Sequence, residues 1–313
     1  MGWDNNGQSP AARAVSGAFG IVVAVGLAVL VVRPELMPWR EAGDVKPLAA
    51  ETARPSAAPS EEAFPDRPTL REPFKGSPAL VWADGVKGIE LPQAKAVGWM
   101  SKDQVAAALS TTKNFLVAAN LDPAVIKGDK PVAALALLDP KQPDVRSSME
   151  KGLVKPTEVD DPTLLFSRFS PAEVRLVGSV VKTRGRMTLE NGKGEWADHV
   201  LIRTDYTFVY PVVKVRPGAE AVTRTVVRRQ ITFSLPDPDE YVVTKGKLSV
   251  SEWSANVGND DCDHPVDGFY HPMFDEDLMA LPDTGASGPA TDPYDRSKDL
   301  DELPQECGTS TRN

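Results

Sequence analysis

Few residues in this 313-residue chain have the chemistry for acid–base, nucleophilic or metal work. The three histidines are His199, His264 and His271, and the two cysteines are Cys262 and Cys307. A hydrolytic triad sets a histidine between an orienting acid and a nucleophile. Asp198-His199 offers the acid, but no Gly-x-Ser-x-Gly turn is present to expose a serine. That pair reads as polar residues at a strand entrance. The densest cluster is Asp260-Asp261-Cys262-Asp263-His264, continued by Asp267, His271, Asp275, Glu276 and Asp277. Carboxylates at that density suit calcium, and two histidines seven apart with Cys262 suit zinc. Neither the spacing of a calcium loop nor a Cys-x-x-Cys pair occurs, so the stretch reads as a solvated acidic tail. No catalytic residue, metal site or cofactor is expected.

The remaining candidates depend on the elements that carry them. Ser101 followed by Gln104 is a capping box, and Val105, Ala108, Leu109, Thr112, Phe115, Leu116 and Ala119 recur at helical spacing to about Asn120. Asp122-Pro123 starts a short turn, Val132–Leu138 is a third apolar segment, and 140–162 reads as a loop. From Val174 the period becomes two. Strands are predicted over Val174–Leu189, with a bulge or bend at Gly185, and after an Asn191-Gly192 hairpin turn over His199–Val213. Thr223–Leu235 and Leu248–Trp253 complete the set. Helices first and about four antiparallel strands after them predict an α+β fold, helices packed on one face of a curved sheet.

Strand parity then sorts the side chains. Tyr206 and Tyr210 share the inner face, and Arg229 has the parity of Val227, Ile231 and Phe233. An inward arginine needs a carboxylate or an anionic ligand, and Asp205 has the wrong parity to serve. Tyr206, Tyr210 and Arg229 are thus the candidate ligand-binding residues, with a bulge or a rim position as the alternative for Arg229. Lys182, Arg184, Arg186, Arg203, Arg224 and Arg228 share the outer face, which suits anionic lipid, ordinary solvation or cover by the acidic tail. No aromatic interleaving or nucleic-acid motif accompanies them, so no nucleic-acid partner is expected.

Composition sets these elements in a larger frame. The formal charge of −9 is uneven: residues 255–313 hold 14 acids against 3 bases, and the rest is nearly balanced. Ala14–Val32 is nineteen residues without a charge, about 28 Å as a helix, and predicts a transmembrane span after a short arm, 1–13. Arg33-Pro34-Glu35 after it makes a poor signal-peptide cleavage site. Residues 33–79 carry nine prolines and read as a disordered stalk, with the α+β domain over 80–256 and the tail over 257–313. The basic residues flanking the span, Arg13 before it against Arg33, Arg40 and Lys46 after it, lean towards a cytoplasmic domain. The stalk and the placement of both cysteines outside the core lean the other way, towards an outward domain with a Cys262–Cys307 disulfide.

Span, stalk, helices and meander together resemble the extracytoplasmic cystatin-like cone domains of actinobacterial membrane proteins associated with mammalian-cell-entry operons, the fold of the nuclear transport factor family. The resemblance covers roughly Lys102–Asn256, including Thr112-Lys113-Asn114-Phe115-Leu116 and Thr204-Asp205-Tyr206-Thr207-Phe208. It implies a single-pass cell-membrane protein of the envelope, anchored in the bilayer through Ala14–Val32 and facing outward, with other envelope proteins as partners. Such folds host scaffolds, binders and enzymes alike. The leading expectation is a non-enzymatic interaction or scaffold protein. A small-ligand binder or enzyme using the concave sheet is the alternative, and a pocket lined by Tyr206, Tyr210 and Arg229 would mark it.

Overall fold

Ser101 accepts a hydrogen bond from the Gln104 amide, and the Gln104 side chain accepts one from the Ser101 amide. This closed capping box opens helix α1 (Lys102–Asn120), the longest helix described. The computed structural model describes residues 46–59, 66–280, 290–303 and 308–313. The apolar run Ala14–Val32 lies outside them, and among the described residues no helix is long and apolar enough to cross a membrane. Strand β1 (Ala83–Asp84) precedes α1. After it come the one-turn helices α2 (Pro123–Ile126) and α3 (Val132–Leu135), then α4 (Pro143–Gly152). Helix α4 lies inside the stretch read as a loop. Pro143 at its start disguised it, since proline is tolerated in a first turn and fits a loop equally well.

Strands β2 (Val174–Leu176), β3 (Lys182–Asn191), β4 (His199–Lys214), β5 (Thr223–Pro236) and β6 (Ser249–Gly258) follow, and α5 (Asp275–Ala280) comes after them. The sheet runs β1-β3-β4-β5-β6, antiparallel at every pairing, with β2 beside the far end of β4. The architecture is α+β: a long helix with a six-stranded open antiparallel sheet. The predicted first strand is divided, because the chain turns between β2 and β3 where Gly178 takes φ +73°. Gly185 carries no bulge, and its register with Tyr206 is regular. Its role is close approach, since a Cβ there would lie 2.2 Å from the Asp205 carbonyl oxygen and 2.4 Å from the Tyr206 ring. The one register shift sits between Thr232 and Phe233 on β5. Asn191-Gly192 is not a two-residue turn. Gly192 donates its amide to the His199 carbonyl, and a 3-10 turn over Gly194–Trp196 fills the connection.

The inner face of the sheet and the apolar stripe of α1 make the main core. Val105, Leu109, Phe115, Leu116 and Ala119 pack with Tyr206, Phe208, Val227, Ile231 and Phe233. Phe115 and Phe233 meet edge to face, 5.3 Å between centroids. The outer face is covered as well, by Phe74, Ala79, Trp82 and Tyr294 packed on Val209 and Val226. This second layer explains why β4 and β5 are buried along almost their whole length rather than at alternate residues. It also draws on segments read from composition as stalk and tail. Within the proposed stalk, Phe74 and Ala79 pack on the sheet and Glu51 pairs with its arginines, and the described residues from 46 onward belong to one compact unit. Within the proposed tail, Tyr270, Phe274, Tyr294 and Leu300 are buried. A proline-rich segment in extended form can lie across a surface whose burial the rest of the chain supplies.

Candidate functional site

Arg229 does point into the core, as its parity demands, and it is fully buried there. Its Nε donates to Asn120 Oδ1 at 3.0 Å, and one terminal nitrogen donates to the Leu164 carbonyl at 2.5 Å. The other donates to Ser167 Oγ at 3.3 Å and to the Tyr270 hydroxyl at 2.5 Å. Ser167 in turn donates to Asn120 Oδ1, and Tyr270 to the Thr163 carbonyl. Every one of these acceptors is neutral. The charge is accommodated by one backbone carbonyl, the Asn120 side-chain carbonyl and two hydroxyls, and Asn120 ends α1, where the helix terminus favours a cation. Tyr210 donates to the Asn120 carbonyl at 2.8 Å, and Tyr206 to the Glu90 carbonyl at 3.4 Å. Burial raises both phenols above their ordinary range and lifts Tyr270 to about 12 despite the nearby Arg229 charge.

The three candidate ligand-binding residues are therefore all buried, with Tyr206 opposite Arg229 and with Tyr210 and Arg229 both bonded to Asn120. Grooves open elsewhere. One of about 440 Å³ lies over the outer face beside Arg54, Arg203, Gln230 and Glu252, and one of about 450 Å³ lies beside Glu173, His264, His271 and Phe274. The residues the strand pattern missed are Asn120, Ser167 and Tyr270. Asn120 ends a helix and Tyr270 sits among acids, so neither carried a local signal.

The outer-face arginines are not a free basic surface. Arg228 grips Asp205 with two hydrogen bonds, 2.9 and 3.0 Å, and Arg186 reaches the same carboxylate at 3.2 Å. Glu51 lies beneath Arg184, Arg186 and Arg296 at 3.4, 3.0 and 2.7 Å, with only 3% of its side chain exposed. Four guanidiniums thus surround two carboxylates. Burial pushes Asp205 up, but the hydrogen bond from Arg228 and the charges of Arg296, Arg228 and Arg186 hold it below its usual value. The cover comes from the same chain but not from tail acids. Glu51 belongs to the proline-rich segment, and the tail supplies a base, Arg296, which also donates to Thr207 Oγ1 at 2.7 Å. Tail carboxylates pair at the margins: Asp299 with Arg54, Asp275 with Arg67, and Glu276 and Asp277 with Lys214.

His199 is buried between the rings of Trp196 and Tyr241, at 5.0 and 4.8 Å, and burial lowers its pKa against the raising influence of Asp198. His264 and His271 come together in the loop after β6, their rings stacked 3.4 Å apart. With Asp267 they place one ligand atom each within 4.8 Å of the others. Cys262 is not part of that group, and Cys307 lies outside the described residues. Asp260, which accepts the His271 amide at 2.5 Å, is pushed by burial to about 6. No protein-family model, curated protein or solved structure matches the chain.

Proposed function

We propose that this chain is a single-span envelope protein that presents its α+β domain outside the membrane as an interaction or scaffold module, without catalysis of its own. The observation that carries this reading is the inner face of the sheet. Where a binder on this fold plan would open a pocket, Tyr206, Tyr210 and Arg229 are buried and hydrogen-bonded to the protein itself. Ala14–Val32 is apolar enough to anchor it, and the helix-first order with α1 against β3–β6 suits a cystatin-like cone. An exported domain also accords with a Cys262–Cys307 bridge: these are the only cysteines in the chain, and among the described residues none is free. Partners are other envelope proteins, and no nucleic acid.

Photo-crosslinking residues at exposed Val159 and Val242 test the reading in intact cells. Adducts with exported or envelope proteins are expected, with full-length protein retained in membranes after an alkaline carbonate wash. Adducts confined to cytosolic proteins, or full-length protein in the wash supernatant, overturn it. A small molecule that co-purifies with the wild type and is lost from Tyr210→Phe would replace it with a ligand-binding function.

A further inference from the structure

The loop after β6 gathers two imidazoles and a carboxylate, each imidazole already hydrogen-bonded through its Nδ1, and this arrangement goes beyond the scaffold reading. His264 Nδ1 lies 2.8 Å from the Pro265 carbonyl. A carbonyl can only accept, so that nitrogen carries the proton and the lone pair falls on Nε2. His271 Nδ1 lies 3.0 Å from Glu173 Oε2, and its Nε2 lies 3.0 Å from Asp267 Oδ1. A carboxylate on the far nitrogen of a histidine is how proteins orient a metal-binding ring and raise its basicity. We propose that His264, Asp267 and His271 bind a single divalent transition cation of the zinc class, with Glu173 as the residue that orients His271.

The geometry is near what such an ion needs. Two donors on a tetrahedral zinc lie about 3.3–3.4 Å apart. The His271–Asp267 pair, at 3.0 Å, opens slightly to admit the ion. The widest spacing in the group, 4.8 Å, closes by roughly 1.4 Å through rotation of the exposed His264. Two nitrogen donors select zinc-class ions over calcium or magnesium, which take oxygen. Three protein ligands leave a fourth position for water or a donor in the adjoining groove, which His264 and His271 line. The consequence reaches the core. The neighbouring Tyr270 donates its amide to the Arg168 carbonyl and its hydroxyl caps buried Arg229 by accepting from it. An ion on this loop would hold Tyr270 in place.

The test uses tag-free full-length protein in detergent, stripped with a chelator and titrated with zinc against a chromophoric competitor. One zinc per chain is expected, tighter than roughly 1 μM. Cobalt in its place should give the visible bands of a tetrahedral Co(II) site. His264→Ala removes an exposed ligand without touching the core, and it should abolish those bands and weaken zinc at least tenfold. Glu173→Gln should weaken zinc about ten- to a hundredfold. Cys262→Ser should leave binding unchanged. Absence of stoichiometric zinc on folded wild-type protein overturns the proposal. So does a cobalt spectrum that survives His264→Ala, or binding lost in Cys262→Ser.

Discussion

At the scale of single residues, two buried arginines solve the same problem differently. Arg228 pairs with a carboxylate, whereas Arg229 is held by neutral acceptors, the Tyr270 hydroxyl among them. A hydrogen bond to a charged group contributes about 1.5–3 kcal/mol, and Tyr270→Phe removes one from Arg229. A fall of that order in unfolding free energy is expected in urea titrations, and an unchanged midpoint would show that the network is not structural. Asp205 gives the pH dependence. Its folded pKa is depressed by Arg228, Arg296 and Arg186 against the opposing effect of burial, while the unfolded chain keeps about 3.9. The stabilisation is therefore fully present above that unfolded value and is lost as pH falls through the folded one. Urea midpoints measured from pH 6 to pH 3 should fall less steeply in Asp205→Asn than in wild type. Equal slopes would mean that Asp205 is not the titrating group.

At the scale of elements, α1 and the β3–β4 pair hold the inner face. Phe115 fills the contact between α1 and β5, and Phe115→Ala should cost about 3–5 kcal/mol by transfer and cavity effects. Gly185→Ala tests a separate cause. The added methyl meets the backbone of β4 rather than a flexible side chain, so the strands must part. Overpacking of this kind costs about 1–3 kcal/mol. Thermal unfolding should place both variants below wild type. A Gly185→Ala protein as stable as wild type would mean that β3 and β4 leave room for the added methyl.

At the scale of the whole molecule, segments far apart in sequence close the outer face. Glu51 and Arg296 are 245 residues apart and meet at 2.7 Å over the sheet. The proposed Cys262–Cys307 bridge would tie the same C-terminal arm to the loop after β6. In the chain-entropy model a 46-residue loop is worth at most about 4 kcal/mol. Mass spectrometry of unreduced, alkylated protein from native membranes should find the two cysteines in one crosslinked peptide. Alkylation of both would remove the bridge, and with it one support for an outward domain.

The parts legible from the residues alone are those whose cause is local. The capping box and apolar stripe of α1, the strands from Val174 onward, and the inward parity of Arg229 follow from periods of 3.6 and 2 within one segment. The match failed where the deciding contact was distant. Parity could say that Arg229 is buried, but its partners come from α1, from the turn at Leu164–Ser167 and from Tyr270 in a stretch that composition marks as solvated. The acid cluster could be seen, but only the fold separates His264, Asp267 and His271 from the rest of it and sets Glu173 against them. The prolines and charges of residues 33–79 and 257–313 suggested free chain because neither segment can bury itself. Among the described residues, Glu51, Phe74, Ala79, Tyr294 and Arg296 find on the sheet's outer face apolar surface and ion-pair partners that no window of neighbouring residues contains.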